Sequence, residues 1–88
     1  HIASICASPA LVFAKNGILK GKKATCYPGC EGILEEGGAA AADYLAVTDG
    51  YITTGKGPGA AIAYGLELIR VINGEETAQQ IRKDFIAL

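Results

Sequence analysis

Three cysteines and a single histidine are the residues of this chain best suited to making and breaking bonds or holding a metal. Cys6 has the most telling setting. It follows a short apolar run, Ile2 to Ile5, and precedes Ala7, Ser8 and Pro9, after which Leu11, Val12, Phe13 and Ala14 take helical spacing. Strand, tight turn with a nucleophile, then helix is the order of a nucleophile elbow. The turn lifts the side chain clear of the sheet. The first N–H groups of the following helix favour a thiolate and can bind an oxyanion. Ala7 and Ser8 are small enough for a substrate to reach the backbone, and Ser8 could instead cap the helix. Pro9 suits a first helical turn, where a missing N–H costs nothing. A cysteine behind an apolar run also fits as a small buried hydrophobe, and the spacing alone leaves both readings open.

Cys26 and Cys30 flank Tyr27-Pro28-Gly29. That spacing differs from the tight knuckles of structural zinc sites, and no further ligands stand near, so no metal is assigned.

The elements that must position these residues alternate in type. Ile2 to Ile5 reads as a buried strand, and the helix after Cys6 closes at Asn16-Gly17. Lys20 to Lys23 is a charged turn. Ala24 to Tyr27 reads as a short strand stopped by Pro28-Gly29, and Cys30 to Glu36 as a short helix with Ile33 and Leu34 facing in. Ala39 to Ala42 reads as a connector. Tyr44 to Thr48 and Tyr51 to Thr54 are β-rich and joined by Asp49-Gly50, a strong hairpin signal. Gly55 to Gly59 is a glycine-rich turn opening a helix from about Pro58 to Ile72, with apolar residues around most of its circumference. Gly74 ends it. Glu75 and Glu76 then open a last helix with an inner seam of Ala78, Ile81, Phe85 and Leu88. The order predicts an α/β layered fold.

The chain has 88 residues, which is room for one small domain, and 50% of them are hydrophobic. A chain of this size buries only about two thirds of its unfolded surface, so surplus apolar surface points to a partner that covers it. The net charge of −1 gives no electrostatic case for nucleic acid or an anionic membrane. No apolar run approaches the roughly 20 residues of a membrane span, and no signal peptide is visible. An odd number of cysteines without a secretory signal favours reduced thiols in the cytoplasm. The chain opens on His1 rather than Met, which is read as a loss of residues before it.

Four stretches, taken in this order and spacing, resemble the ThiJ/PfpI superfamily, the family of the Parkinson-disease protein deglycase. They are Ile2 to Pro9, Gly21 to Gly29, Val47 to Thr54, and Gly55 to Ala61. The resemblance spans essentially the whole chain but only the C-terminal half of the family's domain. It implies a flavodoxin-like three-layer sandwich with a mostly parallel central sheet. On this reading residues 1–88 are the C-terminal half of one domain. The N-terminal half, with its own strands, an acidic residue for the cysteine and a glycine N–H, belongs on a companion chain or is missing. The complete domain is expected to form a homodimer.

Residue by residue, the resemblance makes Cys6 the reactive elbow cysteine, as nucleophile or oxidation-sensitive thiol. It gives the backbone of Cys6 and Ala7 to the oxyanion site. Ser8, Tyr27, Cys26 and Lys56 become pocket candidates. Cys26 is a possible resolving thiol, and Lys56 a possible anion-binding group in the turn before Gly57-Pro58-Gly59. Tyr27 stands where many members carry histidine, and Ala7 where the peptidase-like branch does. A Cys–His dyad cannot be built from this chain, which argues against a cysteine protease. The implied activity is cofactor-free glyoxalase- or deglycase-like processing of small reactive dicarbonyls such as methylglyoxal. The alternatives are an oxidative-stress sensor working through Cys6 and a chaperone-like structural role.

Overall fold

The computed structural model describes residues 1–85. β1 (Ile2–Ile5) pairs in parallel with β5 (Ile52–Gly55), Ile2 opposite Ile52 and Ile5 opposite Gly55. β4 (Ala46–Asp49) pairs antiparallel with the other edge of β5, so the sheet order is β1-β5-β4. β2 (Lys23–Ala24) and β3 (Ala40–Ala41) form a separate parallel pair. The helices are an elbow helix (Pro9–Ala14), α1 (Glu31–Glu36), α2 (Ala61–Asn73) and α3 (Glu75–Asp84). The α/β class expected from the sequence is the class observed.

Successive strand residues face opposite sides of a sheet. Thr53 and Thr54, both buried, show the two sides. Thr54 Oγ1 accepts the Thr25 N–H at 3.0 Å, joining β5 to the segment after β2. The Thr53 hydroxyl meets Thr48 Oγ1 and His1 Nε2, each at 2.8 Å, and Thr48 in turn donates to Glu67 of α2. The carboxylate fixes the direction of this chain. Thr48 has one proton and gives it to Glu67, so Thr53 donates to Thr48 and His1 Nε2–H donates to Thr53. Glu67 also accepts two bonds from Arg70. That pairing, against some opposition from burial and with help from Thr48, holds its pKa below the usual carboxylate value.

The closed core lies under the elbow helix. Ala10 and Ala14 meet Leu19, Ala24, Cys26, Leu34 and Ala39. The approach is tight: a Cβ on Gly37, at the end of α1, would sit 2.6 Å from the Ala14 carbonyl oxygen. α2 and α3 pack mainly on each other and bury only Leu66 and Ala78.

Several elements differ from expectation. The second strand is shorter and earlier than Ala24 to Tyr27, because Thr25 pairs through the Thr54 side chain instead of a neighbouring backbone. The alanine run at 39–42 contains β3 and is not a plain connector, since the Ala40 and Ala42 N–H groups reach the Lys22 and Ala24 carbonyls. The hairpin link is Gly50-Tyr51. Asp49 is the last paired residue of β4, and Gly50, at φ 63°, takes the first central position that type II′ turns reserve for glycine. The α2 face is more open than its apolar stripes suggest, with Ile62 and Ile72 exposed. In the α3 seam Ala78 is buried and Phe85 is exposed, while Leu88 lies outside the described residues.

Candidate functional site

Parallel strands deliver their functional residues to the rim at their carboxyl ends. β1 and β5 run in parallel and end side by side, which brings Cys6 next to Gly55 and Lys56. The Cys6 N–H donates to the Gly55 carbonyl at 3.0 Å, and its own carbonyl accepts the Tyr27 N–H at 2.6 Å. Cys6 is thus held on one side by β5 and on the other by the Tyr27 turn. Between these anchors its φ is +70°, and among the described residues it is the only non-glycine with positive φ. A side chain there costs about 1–3 kcal/mol, which surrounding bonds must hold in place. The thiol is half-buried.

Of the two backbone N–H groups expected at the oxyanion position, that of Cys6 is spent on Gly55. The Ala7 N–H remains the candidate. The Ala7 carbonyl accepts from Ala10 and Leu11 N–H groups as the elbow helix begins. That helix is wound wider than an α-helix, in π-type turns. Ser8 makes no capping bond and is exposed, so the cap reading fails.

Tyr27 and Lys56 meet in one cleft, and Cys26 and Lys56 in another. The first, about 330 Å³, is walled by Tyr27, Pro28, Leu45 and the Gly57 to Ala60 turn, with Lys56 at its rim. The Tyr27 ring lies over Gly57, where a Cβ would meet it at 3.5 Å. The second, about 290 Å³, has Cys26 and Leu34 among its lining, with Glu31, Asp43 and Lys56. Cys6 is not among the lining residues of either. The Lys56 ammonium expected to bind an anion is paired with Asp43 at 2.6 Å. Hydrogen bonding and charge from that pairing raise the Lys56 pKa and lower that of Asp43. Asp43 lies outside every motif and Leu45 inside a stretch read as strand, so neither was a site candidate on sequence grounds.

Cys26 is a different thiol. It is buried, and desolvation, with smaller help from the Glu31 charge and Cys30, pushes its pKa up to about 11. A thiol so disposed against its charged form is a poor resolving nucleophile at neutral pH. Among the described residues no three His, Cys, Asp or Glu side chains gather as a metal site, and no helix is long and apolar enough to cross a membrane.

The strained cysteine at the end of a parallel strand defines an α/β nucleophile-elbow protein. The DJ-1/PfpI family model matches residues 1–71, and the chain belongs to that family. It is 33% identical over 82 residues to the glutathione-independent glyoxalase DJ-1 of Schizosaccharomyces pombe, covering 93% of this chain and 42% of that protein. The crystal structure of Drosophila melanogaster DJ-1beta superposes with a TM-score of 0.87 at 34% identity, over 99% of this chain and 46% of that one. Oxidized Toxoplasma gondii DJ-1 gives a TM-score of 0.85 at 34% identity, over 97% and 45%. The chain spans less than half the length of these relatives.

Proposed function

We propose that Cys6 is the nucleophile of a cofactor-free, glyoxalase- or deglycase-like reaction on 2-oxoaldehydes such as methylglyoxal, in a domain completed by a companion N-terminal half. The observation that carries this reading is the +70° φ at Cys6, strain stored where the strands deliver a side chain to solvent. Similarity to a protein named as a glutathione-independent glyoxalase supports it.

The thiolate adds to the aldehyde carbon, and the carbonyl electron pair moves to oxygen, where the Ala7 N–H can meet it. The hemithioacetal loses its C1 proton, and a proton returns at C2. The product is the thioester of a 2-hydroxy acid. Water attacks that thioester, the C–S bond breaks, and the thiol and the hydroxy acid are released. One water is consumed and no oxidant or reductant is needed. The family resemblance assigns the proton carrier to an acidic residue of the N-terminal half.

Two features support a companion half. β1 carries the nucleophile yet lies at an edge of its sheet, where its outer row of backbone N–H and C=O groups is open to pairing with a further strand. Ser4 Oγ, on the same strand, is buried without a partner among the described residues. Three free thiols suit a reducing, cytoplasmic setting.

The test is lactate formation from methylglyoxal by the completed domain. Cys6→Ala is expected to lower turnover at least about a hundredfold. Undiminished turnover would refute the assignment. The half-exposed, strained thiol also favours a second reading, a sensor oxidised by peroxide to the sulfenic and then the sulfinic acid. Dilute peroxide would then modify Cys6 well before Cys26 and Cys30, without turnover of methylglyoxal.

A further inference from the structure

The cleft walled by Tyr27, Pro28, Leu45 and Pro58 is lined by one anchor of Cys6, Tyr27, and by Lys56, the neighbour of the other anchor, Gly55. Tyr27 donates its N–H to the Cys6 carbonyl, and Lys56 follows the glycine whose carbonyl accepts the Cys6 N–H. Tyr27 and Leu45, 47% and 55% exposed, are large apolar surfaces turned toward the same space. Both are fixed through the backbone: the Lys56 N–H holds the Leu45 carbonyl at 2.9 Å, and the Tyr27 turn closes through the Cys30 N–H at 3.0 Å. A volume of about 330 Å³ suits a small molecule.

The charge at the rim decides what kind of molecule. An unpaired ammonium would favour a carboxylate tail. The Lys56 ammonium is instead compensated by Asp43, so an anionic tail gains little and the aromatic and aliphatic walls dominate.

We propose that this cleft is the subsite for the tail of the carbonyl substrate, and that it selects 2-oxoaldehydes bearing an aryl tail over methylglyoxal. The inference rests on the Cys6 reading above. The aldehyde carbon meets the thiol and undergoes the same isomerisation, while the tail lies against Tyr27, Leu45 and Pro58. No step is added and one water is again consumed.

The experiment compares kcat/KM for phenylglyoxal and methylglyoxal in the completed domain, with Tyr27→Ala and Tyr27→Phe. The expected preference for phenylglyoxal is about tenfold or more, the scale of burying several carbons in an apolar pocket. Tyr27→Ala should remove most of it, and Tyr27→Phe should retain it. Equal kcat/KM for the two substrates, or a preference that Tyr27→Ala leaves intact, would overturn the proposal. A binding arm keeps it separate from catalysis: acetophenone and acetone are titrated into Cys6→Ala protein by calorimetry. If neither aldehyde is turned over, the Cys6 reading fails. Acetophenone binding that Tyr27→Ala weakens would then still place the subsite, and absence of binding would overturn it too.

Discussion

Cys6 and Cys26 sit at the two ends of one short hydrogen-bonded connection, since Tyr27, beside Cys26, binds the Cys6 carbonyl. Their surroundings nevertheless differ in every respect that governs a thiol. Cys6 has a positive φ, partial exposure and a place at the rim of the parallel strands. Cys26 lies in the core among Leu34, Ala24 and Ala39, with a pKa near 11. On the proposed function, the same side chain is a chemical tool in one place and a packing unit in the other. Backbone strain and strand ends make the first; burial and a neighbouring carboxylate make the second.

The contrast can be broken most forcefully from the core side. Leu34 is fully buried and lines the Cys26 cavity. Leu34→Ala should cost about 2–5 kcal/mol in denaturant unfolding, because it removes both burial and packing. A loss well under 1 kcal/mol would show that this region is not the core.

Titration of Cys26 offers a second lever. Its folded pKa of about 11 lies above the ordinary thiol value of 9.0, so the folded state holds the proton longer than the unfolded chain does. Stability from this group is therefore complete below the unfolded pKa and lost as pH rises from about 9 to about 11. The loss is on the order of 3 kcal/mol. Cys26→Ala should flatten that part of the stability–pH curve relative to the wild type. Parallel curves would contradict the burial.

Gly55 carries the acceptor for the Cys6 N–H, and a Cβ there would sit 2.6 Å from the Tyr64 ring and 2.9 Å from Ile5. Gly55→Ala should destabilise by about 1–3 kcal/mol through overpacking. It should also slow alkylation of Cys6 while leaving Cys26 unchanged. Equal effects on both thiols would mean general loosening.

The smallest expected effect has the opposite sign. Cys6→Gly relieves the +70° φ and should leave stability unchanged or raise it by up to about 1 kcal/mol while abolishing turnover. Clear destabilisation would mean that the thiol is held for packing.

Much of this contrast was legible in the order of residues. The strand before Cys6, the glycine-rich turn and the helix stops at Gly17 and Gly74 all follow from local rules, and both glycines take positive φ. What was not legible depended on tertiary partners. Ala40-Ala41 has helix propensity and becomes a strand because the backbone of β2 lies beside it. Asp49 looked like a turn residue, yet its carboxylate accepts the Lys23 N–H, and the turn lies one residue further on. Cys26 looked available to Cys6 in sequence, but burial decides its chemistry. Leu45 was read as part of the strand from Tyr44 to Thr48, yet β4 begins only at Ala46, and Leu45 instead lines the cleft with its carbonyl held by the Lys56 N–H.

The most direct measurement is the rate of alkylation of each cysteine at neutral pH, followed by peptide mapping and mass spectrometry on the folded protein. If the elbow sets thiol reactivity, Cys6 is labelled at least about tenfold faster than Cys26. Labelling of Cys26 as fast as Cys6 would contradict the division of roles between the two.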